Sequence, residues 1–158
     1  MSSGFGVRGT VMKGWMLLVL SLATLACDPS EHAALIVAPK PAIRSDSAAR
    51  AAFARSVFAA VERVAKQHGL VRNSQGGPYT HWSECLNEGG INLCGAERDS
   101  VVRIVFWEWA RFSDTAVRVR REVFQNLQDQ FGQQWVRECS VRRQGITCPT
   151  LAQIDSSR

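Results

Sequence analysis

The sequence predicts an α+β domain: two amphipathic helices on one face of an antiparallel sheet of four or five strands. Three observations carry this. Apolar residues recur at helical spacing in two separate stretches, 53–64 and 116–131. Two cysteine pairs, Cys85 with Cys94 and Cys139 with Cys148, enclose glycine-bearing turns as hairpins would. Between them, residues 100–109 are dense in β-branched and aromatic side chains, which suit a strand. The element order is α-β-β-β-α-β-β, and segregated helices with sequential hairpins fit the α+β class.

The chain opens with a leader. Lys13 gives a positive start, residues 14–25 are an uncharged apolar run, and Ala26-Cys27 follows. That run is shorter than the roughly 20 residues a spanning helix needs. A charged start, a short apolar core and a small residue at the junction mark a secretory signal over residues 1–26, with the true start at Met12. Ala23-Thr24-Leu25-Ala26-Cys27 resembles the lipobox of bacterial lipoproteins, with Thr24 replacing the favoured leucine. The resemblance covers the leader only. It implies that Cys27 is lipidated, that the signal is cut just before it, and that the protein is lipid-anchored in a bacterial cell envelope, on the periplasmic side of the inner or outer membrane where the envelope is Gram-negative. Asp28 resembles the inner-membrane retention signal of enteric lipoproteins. Two or three acyl chains hold a protein on a membrane stably where one does not. Gly4-Phe-Gly-Val-Arg-Gly9 has the spacing of a dinucleotide fingerprint but lacks the strand before it and the helix after it.

The formal charge of the whole chain is +5. Two of the positive charges, Arg8 and Lys13, leave with the leader, so the remainder is only mildly basic. This suits an anionic lipid surface and is no nucleic-acid signature. Four cysteines follow Cys27, and an even count in an exported domain reads as disulfides.

Residues 27–46 read as the lipidated cysteine and a flexible tether, because Pro29, Pro39 and Pro41 interrupt a segment with no amphipathic period. The domain itself is placed at 47–150. Its first helix starts near Ser45 or Ser47, either of which can cap it. Phe53, Val57, Ala60, Val61 and Val64 form the apolar stripe, and Gly69 sits where a left-handed C-terminal cap belongs. Residues 70–80 form a loop. Gly89-Gly90 makes a two-residue hairpin turn. Counting back from it, Cys85 faces Cys94 at a non-hydrogen-bonded pair, where side chains approach most closely. Closing that loop contributes about 2–3 kcal/mol in the chain-entropy model.

The strand at 100–109 has two faces. Val102, Ile104, Phe106 and Glu108 share one; Val101, Arg103, Val105, Trp107 and Trp109 share the other. The second helix starts at Ser113 or Asp114 and runs to Phe131, with Gly132 ending it. The last hairpin turns around residues 142–145. A two-residue turn sets Cys139 opposite Cys148; a bulge at Gly145 shifts the register by one. Residues 151–158 read as a tail. Each helix is followed by a tryptophan and a Cys pair of the same spacing, a weak internal echo.

Chemical signatures are few. His32 lies in the tether and His68 at a helix end, where a cation suits the helix dipole. His81, Glu84 and Cys85 are close in sequence, but a metal site needs a free thiolate and further ligands, and the compartment oxidises thiols. No Gly-x-Ser-x-Gly, His-Glu-x-x-His or Walker pattern occurs. Glu97 and Asp99 read as loop charge. Arg118, Arg120 and Arg121, and Arg142 with Arg143, read as solvated basic faces. Arg103, Trp107 and Trp109 are the candidate binding surface, because tryptophan beside arginine is the composition of an interface hot spot. The alternative is that a loop or hairpin covers the two tryptophans and makes them a second small core.

These observations point to a membrane-tethered envelope lipoprotein. Its domain binds a protein or another envelope component without catalysis, metal or cofactor, in an inhibitor, immunity or assembly role. A small envelope hydrolase using His81 or His68 and a purely structural envelope domain are the alternatives.

Overall fold

An interior strand of the sheet is drawn from the segment expected to be a tether. The chain is seen in a computed structural model that describes residues 31–72, 84–98, 100–108, 112–142 and 145–157. Strand β1, Glu31–Val37, pairs antiparallel with strand β5, Val101–Glu108, on one side. On its other side it pairs with β6, Val136–Arg142. Residues 33–38 are all buried, with Ile36 and Val37 fully so. The tether assigned to 27–46 is thereby corrected: from Glu31 onward it belongs to the domain. The physical reason is that a strand buried on both faces is apolar without alternation, so it lacks the period-2 signal of a half-exposed strand. Pro39 and Pro41 lie beyond the strand and end it, and Pro41–Ile43 forms a single 3-10 turn.

Helix α1, Ser47–Gln67, follows. Its cap is Asp46, between the two serines expected to serve; the Asp46 carboxylate accepts from the amides of Ala48 and Ala49. Val57, Ala60, Val61 and Val64 form the buried stripe as expected. Gly69 adopts a φ of 82°, and the Leu70 amide bonds back to the Ala65 carbonyl, which closes the helix end. Two residues, Val71–Arg72, make the short strand β2. The hairpin of β3, Glu84–Glu88, and β4, Ile91–Arg98, has the expected register, with Glu88 opposite Ile91 and Cys85 opposite Cys94. β4 then pairs with β5.

Helix α2, Asp114–Phe131, is capped by Ser113 and ends at Gly132, whose φ is 97°. The buried Glu108 carboxylate accepts from the Ser113 amide at 2.6 Å and so fixes the turn from β5 into α2. β6 and β7, Gly145–Thr147, form the second hairpin. The register Ser140 opposite Thr147 and Arg142 opposite Gly145 is that of a two-residue connection.

The expected tail at 151–158 is corrected as well: Leu151–Ser156 is a helix, α3. The Thr150 side chain and the Gln153 amide, and the Gln153 side chain and the Thr150 amide, form a capping box. Ile154 is buried, and Asp155 makes a two-armed ion pair with Arg44. The Arg44 guanidinium also lies 5.5 Å from the Trp135 ring centroid.

The strand order is β2-β3-β4-β5-β1-β6-β7, seven strands among the described residues where four or five were expected. The surplus is β1 and the two-residue β2. The α+β class and both disulfides stand. On the front face, α1 and α2 cover Leu35, Val37, Leu93, Val102, Ile104 and Phe106. Phe53 and Phe131 meet edge-on at 5.5 Å between the two helices.

Gly95 is required by this packing. A Cβ there would lie 2.4 Å from Phe58 Cε1 and 2.9 Å from Ile104 Cδ1. Gly95→Ala is expected to cost about 1–3 kcal/mol by overpacking, read from urea denaturation with both disulfides intact. A second prediction concerns acid. Glu62 sits 3.0 Å from Lys66 Nζ and 3.1 Å from Arg72 Nη2. Lys66 first, then Arg72, hold the Glu62 carboxyl below the usual carboxylate range, against the opposing effect of burial. A depressed carboxyl stabilises fully above its unfolded pKa of about 4.3, and loses that contribution as pH falls through the folded pKa. The stability gap between wild type and Glu62→Gln is therefore expected to narrow on titration below about pH 4, measured by denaturation at stepped pH.

Candidate functional site

The candidate surface on β5 is turned as the alternation requires. Val102, Ile104 and Phe106 face the helices, and Val101, Val105 and Trp107 face the other way. That second face is not open. Trp107 is only 8% exposed and packs with Ala34 and Val105. Cys139, Val141 and Ile146 of the last hairpin close over this cluster. Of the two readings of Trp107, the covered one holds: it belongs to a small second core closed by a hairpin, and the candidate binding surface does not include it as an accessible residue. The reason is topological: β1 lies between β5 and β6, and the β6–β7 hairpin held on its far side packs Cys139, Val141 and Ile146 over the cluster. Next to it, Ile36, Ala38, Val101, Trp135 and Ile154 form a further buried cluster under α3.

Arg103 is half-buried on β5, with Ile36 and Ala96 as its cross-strand neighbours. Its Nε is buried and makes no hydrogen bond among the described residues. Trp109, the third member of the expected surface, lies outside the described residues, as do Cys27, His81, Asp99 and Arg143. The leader and its lipobox lie outside them too.

The remaining singled-out residues are structural. Cys85 is bonded to Cys94, with Cα atoms 4.2 Å apart, and so offers no thiolate to a metal. Among the described residues, no three His, Cys, Asp or Glu side chains converge to hold an ion. His68 Nε2 and Glu122 Oε2 are 2.7 Å apart and join the end of α1 to the side of α2. Arg120 donates to Glu138 at 2.7 Å and joins α2 to β6, while Arg118, Arg121 and Arg142 are exposed. Glu97 lies 3.6 Å from Arg50 Nε. No described helix is long and apolar enough to cross a membrane.

Two hollows are relevant to binding. A pocket of about 20 Å³ between α1 and the β3–β4 hairpin, lined by Phe58, Leu86, Leu93 and Ile104, has room for little more than a water. A groove of about 480 Å³ runs between β6 and the segment leading into α3. Arg137, Glu138 and Ser140 form one wall; Thr147, Cys148, Pro149 and Gln153 form the other. It exists because the β6–β7 ladder ends at the Ser140–Thr147 pair, after which the chain turns away at Pro149. Arg137 spans the groove's end, donating to the Gln133 and Val136 carbonyls and to Ser157 Oγ. Sequence reading missed this feature by treating 151–158 as a tail. The spacing Thr150-x-x-Gln153 was the signal that could have found it.

Comparison with protein-family models, with curated proteins and with solved structures finds no match.

Proposed function

We propose that the protein is a membrane-tethered envelope lipoprotein whose domain serves a non-enzymatic binding or accessory role. The observation that carries the reading is the fate of the cysteines. All four in the domain are spent in hairpin disulfides. Cys27 alone remains, at the end of an apolar run that resembles a lipobox. Paired cysteines suit an oxidising compartment, and a leftover cysteine at that junction suits lipidation. The β1 strand supports a close approach to the membrane, because only three residues separate Cys27 from Glu31.

The burial of Trp107 favours a second reading, a structural envelope domain, over a hot spot on β5. Under the first reading the contact surface moves to the groove beside α3 or to the exposed arginines of α2. Fractionation of host cells tests the tether. Wild-type protein is expected in the membrane fraction, released by detergent and not by high salt. Cys27→Ala is expected in the soluble envelope fraction with both disulfides formed. A Cys27→Ala protein that stays with the membrane would overturn the reading.

A further inference from the structure

We propose that Cys139–Cys148 is a thiol–disulfide exchange site for a dithiol, and that its reduction frees the hairpin covering Trp107. The two disulfides differ in placement, although their Cα atoms are a similar 4.2 and 4.3 Å apart: Cys85–Cys94 lies on a cross-strand pair, and Cys139–Cys148 lies one residue past the end of the β6–β7 ladder. Cys85–Cys94 joins two strands that each have a further neighbour, β2 outside β3 and β5 outside β4. Its sulfur-bearing residues are 8% and 2% exposed. Cys139–Cys148 joins β6 to the edge of the sheet. Both residues are partly exposed, and Cys148 lines the open groove beside α3. Exchange requires a thiolate to reach a disulfide sulfur, so rate follows access as well as thiol reactivity. The edge disulfide, with both residues partly exposed, comes closer to that requirement in the folded state than the buried Cys85–Cys94 pair.

Of the two cysteines, Cys148 is the one that lines the groove. A thiolate of the dithiol entering there attacks Cys148 Sγ; the Sγ–Sγ bond breaks, and Cys139 leaves as a thiolate that takes up a proton. The dithiol's second thiolate attacks the mixed disulfide at its own sulfur and releases Cys148, which is protonated in turn. The protein disulfide gains two electrons and two protons, and the dithiol becomes a disulfide.

The consequence follows from the hairpin's size. β7 is three residues long and holds to β6 by three pairs, Ser140–Thr147, Val141–Ile146 and Arg142–Gly145. A ladder that short is marginal without its staple. Val141 and Ile146, with Cys139 itself, close over Trp107, Val105 and Ala34. Reduction therefore loosens the cover of an apolar patch that the oxidised form keeps buried, and the edge disulfide controls the surface that the sequence presented as a binding patch.

The test uses the full chain in native buffer with dithiothreitol as the dithiol, quenched at intervals by an alkylating agent and mapped by peptide mass. Peptides carrying Cys139 and Cys148 are expected to be alkylated about tenfold or more faster than those carrying Cys85 and Cys94. Equal rates, or Cys85 and Cys94 first, would overturn the proposal. The peptides report separately, so the result is independent of the state of Cys27 and of the membrane reading. A second measurement follows the cover. Acrylamide quenching of tryptophan fluorescence is expected to rise in the Cys139→Ser/Cys148→Ser variant, and the increment to vanish when Trp107→Phe is added. Quenching that matches the wild type would refute the hairpin's role.

Discussion

Replacing Ile36 with aspartate is expected to leave the chain unfolded. Ile36 is fully buried near the end of β1, and β1 is the strand that joins β5 to β6. An aspartate there buries a charge among Ala38, Val101, Trp135 and Ile154. Burying an unpaired carboxylate costs several kcal/mol even after relaxation, against a typical domain stability of about 5–15 kcal/mol. The milder Ile36→Ala is expected to cost about 2–5 kcal/mol through lost burial and the cavity it leaves. The control is Lys40→Asp. Lys40 is exposed just beyond the strand, and its replacement is expected to change stability by about 0.5 kcal/mol or less. Circular dichroism and urea denaturation check all three. If residues 31–37 were a tether, the two aspartate variants would behave alike.

Trp107→Ala is expected to cost about 3–5 kcal/mol, the range for deleting a large buried aromatic. Trp107 touches both the sheet and the underside of the last hairpin, so its loss empties the cluster with Ala34 and Val105. Trp107→Phe keeps most of the volume and is expected to cost less than the alanine variant in the same denaturation series. A surface hot spot behaves oppositely: truncation leaves folding untouched and removes a partner. An unchanged unfolding midpoint for Trp107→Ala would therefore restore the interface reading and contradict the packing described above.

These two residues also show what was legible in the sequence. The first hairpin's register was, because Gly89-Gly90 and Cys85/Cys94 each fix the same alignment, and a strand has only two faces to choose between; the sequence of the second admits two registers at Gly145. The helix stripes were, because Val57, Val61 and Val64, and Val119, Val123 and Leu127, repeat on one side of a 3.6-residue period. The division of β5 into a Val102–Ile104–Phe106 face and a Trp107 face was legible for the same reason. What covers each face was not. β1 pairs with partners far along the chain, Val102 to Glu108 and Val136 to Cys139, and nothing local to Ala33 or Leu35 reports them. Once β1 is missed, the sheet ends at β5 and Trp107 looks outward. α3 is too short for a helical period, and its cap at Thr150 was the one local mark it carried. The His68–Glu122 and Arg44–Asp155 pairs join elements distant in sequence and have no local signature either.

The stapled, tethered domain is tested most directly by the intact mass of the protein taken from host membranes and alkylated without prior reduction. The mass of a chain beginning at an acylated Cys27, with no alkyl group added, is the predicted result. It would place the lipid on Cys27 and the other four cysteines in disulfides at once. An unprocessed chain carrying alkylated thiols would contradict both the address and the two staples.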